Sequence, residues 1–232
     1  MSLLRAFERH RTGGIKLDYE RIKRLTSRVV TKWFTHVGCP RGKVRPKTRL
    51  SRGRLGTTVR DAKTGGLRQV VIRAQRNPDP GNQRNPLAIT TTKSRRSQPD
   101  LRTDAITLAV PPASEGCGSR VAWTQVIAEI MAHELTHASD PGVVRRRPVA
   151  TARRLAMTYC EDVQQPAEQT AHLNQIRYEM EAFLMKLPGL QHLGPADLLK
   201  ASRDWKTIEP CLTPRQRRRF LRMAARVAAE GR

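Results

Sequence analysis

The chain has 232 residues, 38% of them hydrophobic and only 4% aromatic, which suits one domain with a modest core and an extended arm. No apolar run approaches the roughly 18 residues of a membrane span, and residues 1–9 lack the apolar stretch of a signal peptide. We therefore expect a protein without membrane contact whose first residence is the cytoplasm.

The formal net charge is +24, and the basic excess lies mainly in the first half of the chain. Residues 1–120 carry 27 Lys/Arg against 8 Asp/Glu, whereas residues 121–232 carry 17 against 12. An excess of this size favours an anionic partner, either nucleic acid or the anionic interior of a particle, bound through the basic N-terminal half. For the most basic stretch, Gly38 to Arg54, a solvated loop is an equally good alternative.

Residues 1–54 are predicted to form a basic arm, helical first and extended afterwards. A short helical piece around Leu4 and Phe7 is followed by a second helix from about Leu17 to His36, with apolar residues at helical spacing. From Arg41 to Arg49 every second residue is basic, so an extended chain would carry all five charges on one side.

Residues 55–110 predict a small β-sheet. Residues 56–60 and 67–73 have strand-like composition and are joined through a turn at 61–66, which indicates a hairpin. Residues 76–100 are polar and predict a long loop, with a short strand at 87–90 at most. Residues 105–110 predict a further strand that ends at Pro111–Pro112.

The central motif lies in a predicted helix from Val121 to Asp140, where His133-Glu134-Leu135-Thr136-His137 reads H-E-x-x-H. Two histidines four residues apart lie on one face of a helix and can both bind one Zn²⁺ at about 2 Å. Glu134 can then take the proton of a zinc-activated water, as a general base does. The alternative is a pair of surface histidines on an ordinary helix.

The sequence from His133 to Asp140 resembles the active-site helix of zincin metallopeptidases, especially small bacterial and phage-type ones. In the Glu-zincin branch a third ligand comes from a glutamate on a later helix, often in the pattern E-x-x-A, which Glu179 and Ala182 match. The resemblance covers roughly residues 100 to 187 and rests on these two short motifs.

The resemblance implies an α+β, zincin-like fold with a small β-sheet, an H-E-x-x-H helix and a mainly helical C-terminal half. It also implies a zinc metalloendopeptidase that hydrolyses a peptide or protein substrate. In such folds an edge strand beside the cleft receives an extended peptide by main-chain hydrogen bonds, and the strand before the metal helix is expected to fill that place.

His133, His137 and Glu179 are thus the expected Zn²⁺ ligands, and Glu134 is the expected catalytic base. Glu181 and Asp140 stay open as alternatives to Glu179. Glu181 lies about 160° around the helix from the face of Glu179, so both cannot bind one metal ion. Asp140 fits better as a partner that orients a histidine or as a helix cap.

A second donor to the developing oxyanion is expected from a tyrosine or a histidine, as in other zincins. Tyr178, Tyr159 and His192 are the candidates, and the sequence does not choose among them.

The four cysteines, Cys39, Cys117, Cys160 and Cys211, are far apart and form no C-x-x-C. This spacing argues against a zinc ribbon and against a dense disulfide scaffold. For a cytoplasmic chain we expect buried free thiols, with one or two disulfides only if the protein is exported.

The C-terminal half is predicted to be helical. Helices are expected from about Pro148 to Tyr159, from Pro166 onward, from Ala196 to Trp205, and after Thr213, with Pro214 in the first turn. The predicted domains are an arm at 1–54, a zincin-like domain at 55–187 and a basic helical extension at 188–232.

A second function remains open on the charge alone. The protein could be a nucleic-acid- or particle-binding structural or cargo protein of a phage-like assembly, packaged in or associated with that particle. Its zinc site would then be structural or vestigial. Glu134 argues against this alternative, because a structural zinc site needs no base.

Overall fold

The computed structural model describes residues 19–50, 53–60, 65–76, 88–95, 98–112, 116–139, 158–187 and 193–230, with the backbone alone at 88–95 and 98–103. Four predicted features lie outside these residues: the first helical piece around Leu4 and Phe7, Asp140, most of the predicted helix from Pro148, and His192.

The described residues form an α+β structure, as the sequence predicts, with most strands before the central helix and most helices after it. None of these helices is both long and apolar enough to cross a membrane. The helices are α1 (Tyr19–Trp33), α2 (Arg120–Ser139), α3 (Tyr159–Val163), α4 (Pro166–Lys186), α5 (Pro195–Ala201), α6 (Arg203–Ile208) and α7 (Pro214–Glu230). The strands are β1 (Phe34–Thr35), β2 (Lys43–Pro46), β3 (Leu55–Arg60), β4 (Leu67–Arg76), β5 (Ala88–Arg95), β6 (Gln98–Val110) and β7 (Gly118–Ser119).

The larger sheet has the strand order β3-β4-β6-β5, and a smaller sheet has the order β1-β2-β7. Strands β3 and β4 form the predicted antiparallel hairpin, with Leu55 opposite Ile72. Strand β4 pairs with β6 in parallel, and β5 pairs with β6 antiparallel.

The predicted polar loop at 76–100 is wrong over much of its length. Strand β5 begins at Ala88 and β6 begins at Gln98, so the segment contains a long antiparallel pairing. Ile89 and Thr90 to Thr92 are β-branched and favour strands, although most of them are polar. As a result β5 is an edge strand, and the predicted strand at 105–110, which is part of β6 and was expected at the edge, lies inside the sheet.

The apolar face of α1 packs into the same core as the sheet and α2. Buried residues of α1, of the sheet and of α2 form one cluster that includes Ile22, Trp33, Ile72, Ile106 and Met131. Strand β2 alternates as the sequence predicts, because Val44 is buried while Lys43 points outward. Residues 19–50 of the predicted arm therefore support the helix that carries the histidines.

The C-terminal end of α2 is fixed to the sheet by Arg68 on β4. Its guanidinium donates to the backbone carbonyl of Ala138, next to His137, and its other terminal nitrogen lies 3.8 Å from the carboxylate of the fully buried Asp104. A cation at a helix C-terminus is favoured by the helix dipole. This contact fixes the position of the turn that carries His137 relative to the sheet.

The expectation of free thiols is wrong, because the four cysteines form two disulfides. Cys39 pairs with Cys117, which joins the turn before β2 to the segment that enters α2. Cys160 pairs with Cys211, which joins α3 to the turn after α6. Residues of α4 to α7 form a second hydrophobic cluster around this bridge, with Ile176, Leu198 and Phe220 at its centre.

Replacing both Cys160 and Cys211 by alanine should lower the free energy of unfolding by about 3–4 kcal/mol, because the bridge closes a long loop. Urea denaturation without reductant measures the difference. The parent with reductant should lose at least as much, since it also loses Cys39–Cys117. A difference below about 1 kcal/mol would show that the bridge does little for the folded state.

Candidate metal centre

Helices α2 and α4 run antiparallel and face each other with polar side chains. At one end of the pair Lys186 donates to Gln125 (3.3 Å), and at the other end His137 lies 3.2 Å from Glu168. Each helix repeats its polar residues at intervals of three or four, which puts them on one face. The opposite face of α2 packs in the hydrophobic core through Ile127, Met131 and Leu135.

His133 and His137 continue the line of Gln125 and Glu129, which recur every fourth residue along α2. Contacts with α4 at both ends of this line show that it faces that helix. Most of the C-terminal half of α2 is buried, on both faces.

Three ligand atoms meet where the two helices pair. His133 Nε2 and His137 Nε2 are 3.1 Å apart, and each lies 3.2 Å from Glu168 Oε2. The three side chains are only 11–15% exposed. Among the described residues, this is the group of His, Cys, Asp and Glu side chains whose arrangement could hold a metal ion.

The dimensions of this triangle suit a small divalent cation. A tetrahedral ion with bonds of about 2.0 Å has ligand atoms about 3.3 Å apart, close to the three distances here. Two imidazoles and one carboxylate are also the donor set of many catalytic zinc sites, which leave one position open. The residues present therefore fit Zn²⁺.

The ionisation of Glu168 agrees with this role. Burial by itself would raise the pKa of Glu168, but hydrogen bonds from His133 and His137 and their positive charge lower it well below its usual range. Glu168 is thus held as a carboxylate, which is the form that binds metal ions.

Glu179, the predicted third ligand, has a different place in the structure. Its carboxylate accepts hydrogen bonds from the hydroxyl of Ser202 (2.7 Å) and from the backbone N–H groups of Arg203 (2.7 Å) and Asp204 (3.2 Å). It therefore caps the start of α6 while the histidines meet Glu168. The other alternative on this helix, Glu181, pairs with Arg177 (2.7 Å).

A signal for Glu168 was present in the sequence. Glu168 and Ala171 also read E-x-x-A, eleven residues before Glu179 and Ala182. Eleven residues make three turns of a helix to within about 20°, so both glutamates lie on the same face. Periodicity alone could not choose between them.

Glu179 still acts on the site through one intermediate residue. His133 Nδ1 donates to Gln175 Oε1 (3.1 Å), and Gln175 Nε2 donates to Glu179 Oε1 (3.3 Å). A hydrogen bond to Nδ1 fixes the ring and leaves Nε2 as the metal-binding nitrogen. Burial raises the pKa of Glu179, against the effect of the hydroxyl of Ser202.

A second polar layer lies one turn before His133. Glu129 is almost fully buried, accepts from Gln125 (3.0 Å) and forms an ion pair with Arg203. Burial, followed by the charge of Glu179, raises the pKa of Glu129 to about 7. This layer ties α2, α4 and α6 together beneath the metal-ligand triangle.

A third histidine, which sequence reasoning missed, adjoins the triangle. His172 follows Glu168 by one helical turn, and its ring centre is 4.8 Å from that of His133. Its Nδ1 donates to Asp204 Oδ2 at 2.8 Å. Asp204 lies in the first turn of α6, so only the tertiary fold brings this pair to the site.

Two of the predicted oxyanion donors, Tyr178 and Tyr159, lie in the described part of the chain. Tyr178 is buried in the hydrophobic core with residues of α1 and the sheet. Tyr159 starts α3, and burial, together with the charges of Asp204 and Asp162, raises its pKa to about 12. His172, which was not among the predicted donors, has its ring against that of His133.

Glu134, the predicted base, is largely buried beside His133 on α2. The same turn is held by Thr136, whose hydroxyl donates to the carbonyl of Ala132 (2.8 Å) and accepts from Asn174 on α4 (3.0 Å). The H-E-x-x-H segment is therefore anchored to α4 on either side of Glu134.

Comparison with known proteins adds no relative: no protein-family model, no curated protein and no solved structure matches the chain.

The two glutamates should respond differently to replacement by glutamine. Glu168→Gln should abolish stoichiometric zinc binding, because a neutral amide replaces the carboxylate ligand. Glu179→Gln should retain one zinc per chain with an affinity weakened by about 10–100-fold, as expected for a partner that orients a ligand. Zinc content after dialysis and competition with a chromogenic chelator measure both effects.

Glu181→Gln is the matched control, since it is the same substitution on the same helix but away from the histidines. It should bind zinc as the parent does. Loss of zinc in Glu179→Gln with retention in Glu168→Gln would reverse the ligand assignment.

Proposed function

We propose that the protein is a zinc metalloendopeptidase of the zincin type, with His133, His137 and Glu168 as the metal ligands. The observation that carries this proposal is the triangle of ligand atoms, 3.1–3.2 Å on each side, that contains both histidines of the H-E-x-x-H motif. The adjoining acid Glu134 and the edge strand β5 support it.

The chemistry follows from the residues around the triangle. Zn²⁺ at such a site supplies Lewis acidity that lowers the pKa of water and polarises a peptide carbonyl. Glu134 takes the proton of the attacking water and gives it to the leaving amine. Gln175 keeps His133 in the tautomer that presents Nε2.

His172 is the proposed donor to the carbonyl oxygen as negative charge develops there. Asp204 accepts a hydrogen bond from Nδ1 and fixes the orientation of the ring, and the donated proton is the one on Nε2. We prefer His172 to the candidates that the sequence left open, Tyr178, Tyr159 and His192, because its ring lies against that of the proposed ligand His133.

An extended peptide is the substrate class that the fold favours. Among the described strands, β5 is an edge of the larger sheet and packs against α2, so the side that pairs with none of them can receive a substrate backbone. Main-chain hydrogen bonds of this kind hold a peptide without demanding a particular side chain, which suits an endopeptidase.

The two disulfides favour an oxidising compartment as the place of action. This proposal departs from the expected cytoplasmic residence. The disulfides also join the segment that enters α2 to the turn before β2, and the turn after α6 to α3. Covalent bonds therefore hold the chain on both sides of the proposed metal site.

Glu134→Gln should keep one zinc per chain and lower kcat for peptide hydrolysis by about 10²–10⁴-fold, because it removes the general base and leaves the ligands intact. A quenched-fluorescent peptide library gives the parent activity, which chelation should abolish and added zinc should restore.

The matched control for Glu134→Gln is Glu161→Gln, an exposed acid on α3. It should leave both zinc content and kcat unchanged. A zinc-loaded parent that cleaves no peptide or protein under any condition tested would refute the peptidase and leave a metal-binding protein of another kind.

His172→Phe should lower kcat by about 10²–10³-fold while KM and zinc content stay near parent values. Phenylalanine preserves the ring contact with His133 but removes both nitrogens. Asp204→Asn should show a smaller loss of kcat, because the ring of His172 stays in place but loses the carboxylate that orients it. Loss of zinc in His172→Phe would instead make His172 a fourth ligand.

A further inference from the structure

Helix α7 carries a line of arginines that the proposed peptidase does not use. Its basic residues are all arginine, and none of its residues is lysine. Arg215, Arg218 and Arg222 are exposed and Arg219 is half-buried, at spacings of three and four that place them along one side of the helix. We call these four residues the arginine row; Arg226 continues it by one turn.

The opposite face of α7 fixes the direction of this row. Phe220, Met223, Ala224, Val227 and Ala228 are buried, and the helix packs on α5 and α4. Thr213 and Gln216 cap its start with reciprocal hydrogen bonds of 2.7 and 3.3 Å. The row is therefore held on a rigid, well-packed element and faces outward.

Within the described part of the chain, the row has no acidic partner. Among the described residues, no carboxylate forms an ion pair within 4.0 Å of Arg215, Arg218, Arg219 or Arg222, and the sole acid of α7, Glu230, pairs with Arg177. An ordinary solvated helix face usually mixes charges of both signs. Burial lowers the pKa of Arg219, and the positive charge of Arg222 lowers it further.

We propose that the arginine row binds the phosphodiester backbone of a nucleic-acid duplex. Arginine binds phosphate with two parallel hydrogen bonds, which lysine cannot do, so the exclusive use of arginine favours phosphate groups. The row spans about 10 Å along the helix, which is about three phosphate spacings of one duplex strand, so its four arginines can meet about four phosphates. A single narrow line of charge matches a strand backbone better than a flat bilayer, which would favour a broad patch.

This binding is separate from the proposed peptidase, since none of the four arginines contacts the metal centre in the described structure. It also differs from the expectation that the basic N-terminal half carries the anionic partner. Helix α1 in that half also bears exposed arginines, which provides a matched comparison.

The test is the salt dependence of binding to a labelled DNA duplex of about 20 base pairs, followed by fluorescence anisotropy with the full chain. The parent should lose about a hundredfold in affinity between 50 and 200 mM salt, which corresponds to about four phosphate contacts. Arg218→Gln with Arg222→Gln should reduce this to about tenfold and weaken binding at low salt.

Arg24→Gln with Arg28→Gln is the matched control: two exposed arginines one turn apart on α1, with the same change of charge. It should leave the salt slope near the parent value. Equal losses in both variants would mean diffuse attraction to a +24 chain, and a loss in the α1 variant alone would place the contact there; either result overturns the proposal.

Vesicles of phosphatidylglycerol, with phosphatidylcholine vesicles as the neutral reference, complete the test. Weak vesicle binding that does not depend on Arg218 and Arg222 supports the duplex. Tight vesicle binding that is lost in the α7 variant, with no duplex binding, would replace nucleic acid by a membrane surface. Thermal unfolding of each variant should match the parent, so that the losses are not due to misfolding.

Discussion

The rest of the molecule depends on the pairing of α2 and α4 through their polar faces. Burying charged and polar groups between two helices is costly unless each finds a partner. Here the partners come across the helix pair, from Gln125–Lys186 through His133–Gln175 to Thr136–Asn174. Because these contacts are specific in direction and length, they fix the register of the two helices, and the register decides which carboxylate meets the histidines.

The C-terminal helices complete this arrangement. Helix α6 supplies Asp204 to His172, Arg203 to Glu129, and two backbone N–H groups to Glu179. The predicted C-terminal extension thus provides outer parts of the candidate metal centre. The Cys160–Cys211 bridge and the apolar cluster around Phe220 keep α6 in that position.

The structure also separates two uses of charge. Acidic groups near the metal centre, Glu129, Glu168 and Glu179, are largely buried and serve the histidines and the helices that carry them. The arginine row lies on the exposed face of α7 and is not drawn into those pairs. A strongly basic chain can therefore bury a compact group of carboxylates beside the candidate metal centre and still expose a row of arginines on a separate helix.

The parts of the site that lie within one helix could be predicted from helical periodicity and from local sequence patterns. The spacing of His133 and His137 follows from 3.6 residues per turn, and the start of α7 follows from Thr213 and Pro214. The hairpin of β3 and β4 and the apolar face of α1 were likewise readable from alternation and periodicity. Each of these needs only residues that are close in sequence.

Tertiary structure decided what depends on distant residues. Glu168 and Glu179 lie on the same face of α4, so the sequence could not tell which one reaches the histidines until the helix pairing set the register. The disulfides join cysteines 78 and 51 residues apart, and Asp204 reaches His172 across 32 residues, distances over which no local pattern operates. The sequence by itself determined that two histidines and an acid share one helix turn; the packing of α4 and α6 against that helix determined what completes the site.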